Sequence, residues 1–153
     1  MKTVFQGSDE IVVHAVPERI WAILEDSTLL SRWAPMVKST TGKTERVDSM
    51  RECQVEWNGR RDQVSERCVE AIPYKRIAWV MERGAMTKLF SRIFFWFALE
   101  SISERATKLQ LGFQYEPRTL MARVMYPLMM KRKLGKLRKT LLENLKQLAE
   151  ARA

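Results

Sequence analysis

The sequence predicts an α+β fold in which one open, curved antiparallel sheet of about seven strands wraps a single long C-terminal helix. Three observations carry this. Along the chain the patterns run strand, two short helices, six strands, then one long helix. Asn58-Gly59 joins two strand patterns, a strong type I′ hairpin signal. The last strand alternates cleanly, with Leu109, Leu111, Phe113 and Tyr115 on one face and Lys108, Gln110, Gly112 and Gln114 on the other. One face is therefore buried and needs a cover. A chain of 153 residues suits one such domain, spanning 1–153, that buries about two-thirds of its unfolded surface.

Glu10 to Ala15 reads as the first strand. Pro17 opens the first helix, where its missing amide hydrogen costs nothing, and Ile20, Trp21, Ile23 and Leu24 form the apolar stripe. Asp26 and Ser27 break that helix and cap a second, Thr28 to Trp33, ended by Pro35. Strand patterns follow at roughly 36–46, 49–57, 60–72, 76–83, 92–102 and 107–115.

The hairpin turn sets a register with Trp57 opposite Arg60, Val55 opposite Asp62, Cys53 opposite Val64, and Arg51 opposite Glu66. Cys68 then falls opposite Ser49, about 13 Å from Cys53 at roughly 3.3 Å per residue. That is beyond disulfide reach, so both cysteines are expected as free thiols of a reducing compartment. The strand at 92–102 has two open registers. A four-residue loop after it puts Trp96 and Glu100 on the buried face, and a three-residue loop puts Phe95, Phe97 and Leu99 there.

Beyond Pro117 a helical pattern runs to about Arg152, with Leu134, Leu137, Leu141, Leu145 and Leu148 in a stripe. Unbroken, it would reach about 50 Å, against a radius of gyration near 15 Å for a domain of this size. Pro127 is expected to kink or restart it.

Composition narrows the chemistry. One histidine and two cysteines cannot build a four-ligand Cys/His zinc site, and nothing recommends a carboxylate-held metal or a cofactor. The sequence contains neither a glycine-rich phosphate loop nor a GxSxG elbow. His14, on a strand, reads as a surface or satisfied core residue rather than a triad member. Apolar runs such as Ile93 to Leu99 are far too short to cross a bilayer, and the opening MKTVFQGSDE lacks an apolar leader core. The expected location is cytoplasmic, with a peripheral position on the inner face of a membrane as the variant. The net charge of +9 is concentrated in the C-terminal segment: Pro117 to Ala153 holds ten Lys/Arg against two Asp/Glu, and the preceding residues nearly balance.

Several stretches together resemble a known family: IVVHAVPERIWAILED, SRWAPMV, ERCVEAIPYKRIAW and LENLKQLAE. They are similar to the START-like (SRPBCC) superfamily of polyketide cyclases/dehydrases and lipid-transport proteins. Its first-helix pattern is matched by Pro17, Glu18, Ile20, Trp21, Leu24 and Asp26, and its "W-x-P" by Trp33 and Pro35. Many relatives carry a glycine entering the third strand, where this chain has Val47-Asp48-Ser49. The resemblance implies the helix-grip fold and an internal apolar pocket, and it confers no universal catalytic residues.

From the residues themselves, expected pocket linings are Cys53, Val55, Trp57, Leu111 and Phe113 on the sheet, with Met121, Met125, Leu128 and Met129 on the helix. Methionine is flexible and polarizable, which suits a surface that repacks around varied ligands, although the same side chains also fill core gaps. Arg51 and Glu66 share the face of Val55 and Trp57, either as an anchor for a ligand head group or as a pair at a wet rim. With Glu100 and Tyr115 they are the candidate catalytic groups.

Lys131, Arg132, Lys133, Lys136, Arg138 and Lys139 form a run without acids, read as lying opposite the gripping leucines. With only the basic side free, this favours electrostatic docking to anionic lipid over insertion. A solvated basic face is the bland alternative, and no nucleic-acid motif accompanies it. Met86, Leu89 and Phe90 suggest a lid or membrane-touching tip, or a loop tucked under the sheet edge.

The leading functional expectation is binding, with transport as an extension, of a hydrophobic small molecule such as a lipid, quinone or polyketide. The alternatives are a polyketide-type cyclase/dehydratase, whose catalysis would rest on orientation in the pocket, and a module docking on a ribosome or membrane through the basic helix.

Overall fold

The computed structural model describes residues 3–42 and 46–151. Strand β1 (Phe5–Val13) leads into helix α1 (Pro17–Glu25), a 3-10 turn (Ser27–Leu29) and the short helix α2 (Leu30–Trp33). Six strands follow: β2 (Val37–Gly42), β3 (Met50–Trp57), β4 (Arg60–Ile72), β5 (Arg76–Arg83), β6 (Phe90–Ser103) and β7 (Ala106–Pro117). Helix α3 (Leu120–Met125), a π turn (Tyr126–Met130) and helix α4 (Lys131–Glu150) complete the chain. The seven strands form one antiparallel sheet in the order β1-β7-β6-β5-β4-β3-β2, and α4 lies against β1 and β7. This is the helix-grip arrangement.

Local chemistry explains most boundaries. Pro17 occupies the first turn of α1, and Ile20, Trp21, Ile23 and Leu24 are all buried. Asp26 caps the following turn, its carboxylate accepting from the Thr28 amide at 3.0 Å. Asn58 and Gly59 both have positive φ, as a type I′ turn requires, and β3 and β4 pair in the register that turn dictates. The two cysteines are free and buried.

At four points the structure departs from what the sequence suggests or decides what it leaves open. First, β1 begins at Phe5, five residues earlier than expected, because Gly7 and Asp9 face inward beneath Arg138 of α4. A Cβ on Gly7 would stand 2.8 Å from the Arg138 guanidinium, so glycine is needed for that approach. Second, the β6 register settles on Phe95, Phe97 and Leu99 opposite Phe113, Leu111 and Leu109. A tight Glu104-Arg105 turn combines with a bulge at Ile102 to give that parity. Third, Asp48 adopts φ +72° where relatives were expected to carry glycine, so an aspartate fills the left-handed position. The end of the second expected strand and the expected helix end at Arg152 lie outside the described residues.

The fourth concerns Pro127. It neither ends the helix nor sits in regular α geometry: the Lys131 amide reaches back five residues to the Tyr126 carbonyl. The wider turn accommodates the proline ring and its missing donor. It also inserts one residue into the helical phase. Consequently Ala122 before the turn and Tyr126 at its start face the sheet, as do Leu134, Leu141 and Leu145 after it.

Candidate functional site

The inner face of the sheet carries a connected track of aromatic rings. Trp33 meets Phe97 edge-on at 5.7 Å, Phe97 meets Trp79 at 5.9 Å, and Trp79 stacks on Phe95 at 5.2 Å. The track continues through Phe113 and Tyr115 to Tyr126, which stacks on Phe5 at 4.2 Å. Strand pleating explains it. Phe95 and Phe97, Phe113 and Tyr115 are alternate residues of β6 and β7 and project to one side.

Two cations lie on this track. Arg51 places its guanidinium 4.5 Å from the Trp79 ring centre, and Arg138 lies 5.5 Å from Phe113. Arg51 is only 2 % exposed, and its Nε donates to Glu66 Oε1 at 2.7 Å across the β3–β4 register. Arg138 Nε donates to Asp9 at 2.8 Å. Each cation is thus charge-paired as well as stacked, which offsets much of the cost of its desolvation.

The Arg51 neighbourhood is incompletely satisfied. Among the described residues Arg51 Nη1, Trp79 Nε1 and Trp33 Nε1 are buried without a hydrogen-bond partner. All three are donors. An interior with spare donors and an aromatic wall is complementary to an apolar molecule bearing an acceptor oxygen.

The nearby thiol is inert. Burial, followed by the Glu66 carboxylate, pushes Cys53 up to about 12, so it stays protonated at neutral pH and is no nucleophile. Burial also raises Cys68 and Tyr115.

Of the expected sheet linings, Cys53, Val55, Leu111 and Phe113 share the inner face with Arg51, Glu66 and Tyr115. Trp57 sits exposed beside the hairpin turn. Glu100 is on the outer face, paired with Lys108 at 3.0 Å, because β6 took the other register. On the helix, Met125 is half-buried, whereas Met121, Leu128 and Met129 are exposed, since the inward positions belong to Ala122 and Tyr126.

In the basic run, Lys131, Arg132, Lys133, Lys136 and Lys139 are exposed, and Arg138 turns to the sheet. Arg138 stands four residues after Leu134 and three before Leu141, a spacing that places it on the gripping stripe. Met86 and Leu89 are half-buried against the core and Phe90 is buried, so that segment is tucked in. The sequence does not single out Trp79 as the neighbour of Arg51, nor Trp33, Phe95 and Phe97 as the rings that continue from it. The period-2 pattern of β5 and β6 held that information once the β6 register was fixed.

A separate open groove, lined by α1, the following turn and Leu148, shares no residue with the aromatic track.

The family model for polyketide cyclase / dehydrase and lipid transport matches residues 5–150, and the chain belongs to this family. No curated protein matches it by sequence. Among solved structures it is similar to the Zhui aromatase/cyclase from Streptomyces sp. R1128, at 14% identity and TM-score 0.75, covering 97% of this chain and 98% of that one. A START superfamily protein from Mycobacterium smegmatis aligns at 20% identity and TM-score 0.72, covering 94% and 98%. Norcoclaurine synthase from Thalictrum flavum aligns at 10% identity and TM-score 0.75, covering 99% and 97%. These likenesses establish a shared fold.

Proposed function

We propose that the inner face of the sheet binds a hydrophobic small molecule carrying an acceptor oxygen, as a lipid, quinone or polyketide does. The observation that carries this reading is the unpaired Arg51 guanidinium nitrogen over Trp79, whose indole donor is also unpaired, on an aromatic track that runs through Phe97 to the unpaired Trp33 indole. The ligand's oxygen would accept from Arg51 while its apolar body packs on the rings of Trp79, Phe95 and Phe97. Family membership supports the same ligand class.

Binding, with carriage as its extension, ranks ahead of turnover. Cys53 is held protonated, Tyr115 is raised by burial, and Glu100 lies on the outer face, so these groups supply no neutral-pH base inside. The cyclase reading keeps one favourable feature. Arg51 could polarise a ligand carbonyl, and the Zhui protein is an aromatase/cyclase.

Two matched probes test the binding reading: 1-anilinonaphthalene-8-sulfonate and its uncharged analogue N-phenyl-1-naphthylamine. The parent should bind both. Replacing the buried pair together, Arg51→Met with Glu66→Met, should weaken the sulfonate by about ten- to a hundredfold and leave the uncharged probe nearly unchanged, the loss of a charged hydrogen bond of about 1.5–3 kcal/mol. A parent that binds neither probe refutes the proposal.

A further inference from the structure

We infer that the outward face of α3 and the π turn inserts into anionic membrane surfaces. Leu120 and Leu128 are 76% and 77% exposed, and Met121, Val124 and Met129 are each more than half exposed. Five large apolar side chains within ten residues are thus turned to solvent while Ala122 and Tyr126 hold the other side against the sheet. Folding leaves this strip uncovered, and a contiguous apolar strip of this kind on a protein surface marks an interaction site.

The surrounding charge selects the occupant. Arg118, Arg123, Lys131, Arg132, Lys133, Lys136 and Lys139 are exposed, and none forms an ion pair among the described residues. No Asp or Glu occurs between Glu116 and Glu143. Following the helix outward from the buried Ala122, Tyr126, Leu134 and Leu141, the solvent side is apolar through Met129 except for Arg123, and basic from Lys131 to Lys139. An apolar tip with an uninterrupted basic collar is complementary to acyl chains beneath negatively charged headgroups. A second copy of the chain would instead bring like charges together around the patch, and nucleic acid would leave the apolar tip unused.

Association would be superficial, because no helix among the described residues is long and apolar enough to span a bilayer. For the C-terminal helix, the sequence suggests docking by charge alone. The outward apolar strip adds an insertion component that salt does not screen. This inference does not depend on the ligand reading.

Co-sedimentation with vesicles of phosphatidylcholine alone, or mixed with phosphatidylserine, tests it at low and physiological salt. The parent should bind the mixed vesicles at both salts. Leu120→Ser with Leu128→Gln and Met129→Gln changes only exposed positions, so near-UV circular dichroism should match the parent. This variant should bind the mixed vesicles at least tenfold more weakly at physiological salt. Replacing Lys131, Arg132, Lys133 and Lys136 by glutamine should abolish the preference for phosphatidylserine.

A Leu128→Cys variant carrying an environment-sensitive dye should shift to the blue and resist iodide quenching on these vesicles. Its labelling is selective because Cys53 and Cys68 are buried. Failure of the parent to sediment with mixed vesicles overturns the inference. So does equal vesicle binding by the apolar variant, or a parent dimer that this variant dissociates while vesicles recruit neither. Binding to polyuridine RNA that is equal for both proteins, without vesicle binding, likewise contradicts it.

Discussion

Two regions of this molecule reverse the usual placement of charge and oil. On the inner face of the sheet, Arg51 and Glu66 sit ion-paired in an apolar interior, with Arg51 against the aromatic track. On the outer face of α3, leucine, valine and methionine side chains stand in solvent. Stability alone favours neither arrangement, since a buried pair must overcome desolvation and exposed apolar surface contributes nothing to the fold. Among the described residues the inner region leaves Arg51 Nη1, Thr40 Oγ1 and the Trp33 and Trp79 indole nitrogens without partners, whereas the outer one is unsatisfied as a whole. On the proposed readings, that difference separates a site for a small oxygenated molecule from a surface for an extended partner.

The largest expected effect comes from splitting the inner pair. Arg51→Met alone leaves Glu66 buried beside an apolar side chain and should cost about 3–5 kcal/mol in urea unfolding. Adding Glu66→Met should restore most of it. If the single and double variants are equally unstable, the pair is not what offsets the burial.

Next comes a contrast between leucines on the two sides of one continuous helical segment. Leu145→Ala should cost about 2–5 kcal/mol, whereas Leu128→Ala should stay within about 0.5 kcal/mol of the parent. Similar losses at both positions would mean that the α3 face is covered in solution.

The inner thiol sharpens the comparison through pH. Below the ordinary thiol value of 9.0, folded and unfolded chains both keep the Cys53 proton. Between there and about 12 only the unfolded chain gives it up, so stability should decline as pH rises through that window. At pH 8 the folded protein should resist alkylation at both cysteines, and the denatured protein should expose two thiols.

The smallest effect belongs to a control in neither region. Asp48 holds φ +72° with an exposed ion pair to Arg67 at 3.2 Å. Asp48→Ala should therefore be less stable than Asp48→Gly by about 1 kcal/mol, read from the same urea curves.

What the sequence made legible follows the range of the physics. The Asn58-Gly59 turn, the proline opening α1 and the leucine stripe of α4 act within a few residues, and each appears as read. The inward Gly7 and Asp9 became intelligible only with Arg138, more than a hundred residues away, lying over them. The β6 register depended on a single bulge at Ile102, which alternation alone does not reveal.

At the site, Arg51 opposite Glu66 followed from the hairpin, as did their shared face with Cys53 and Val55. Side-chain type suggests inward methionines, but the π turn at Pro127 shifts helical phase, and the inward pair is Ala122 and Tyr126. Arg138 was grouped with the basic face although its spacing from Leu134 and Leu141 already put it on the stripe.

Native mass spectrometry of the protein, purified without denaturation and mixed with 1-anilinonaphthalene-8-sulfonate, tests the central claim most directly. One bound probe per chain is expected in the parent, at unchanged occupancy in the Leu120→Ser, Leu128→Gln, Met129→Gln variant and at an occupancy reduced by about tenfold or more, at probe concentrations below the parent's Kd, in the Arg51→Met, Glu66→Met variant. A probe that remains on the second variant and leaves the first would locate binding on the outer face and contradict the claim that the Arg51 interior is the ligand site.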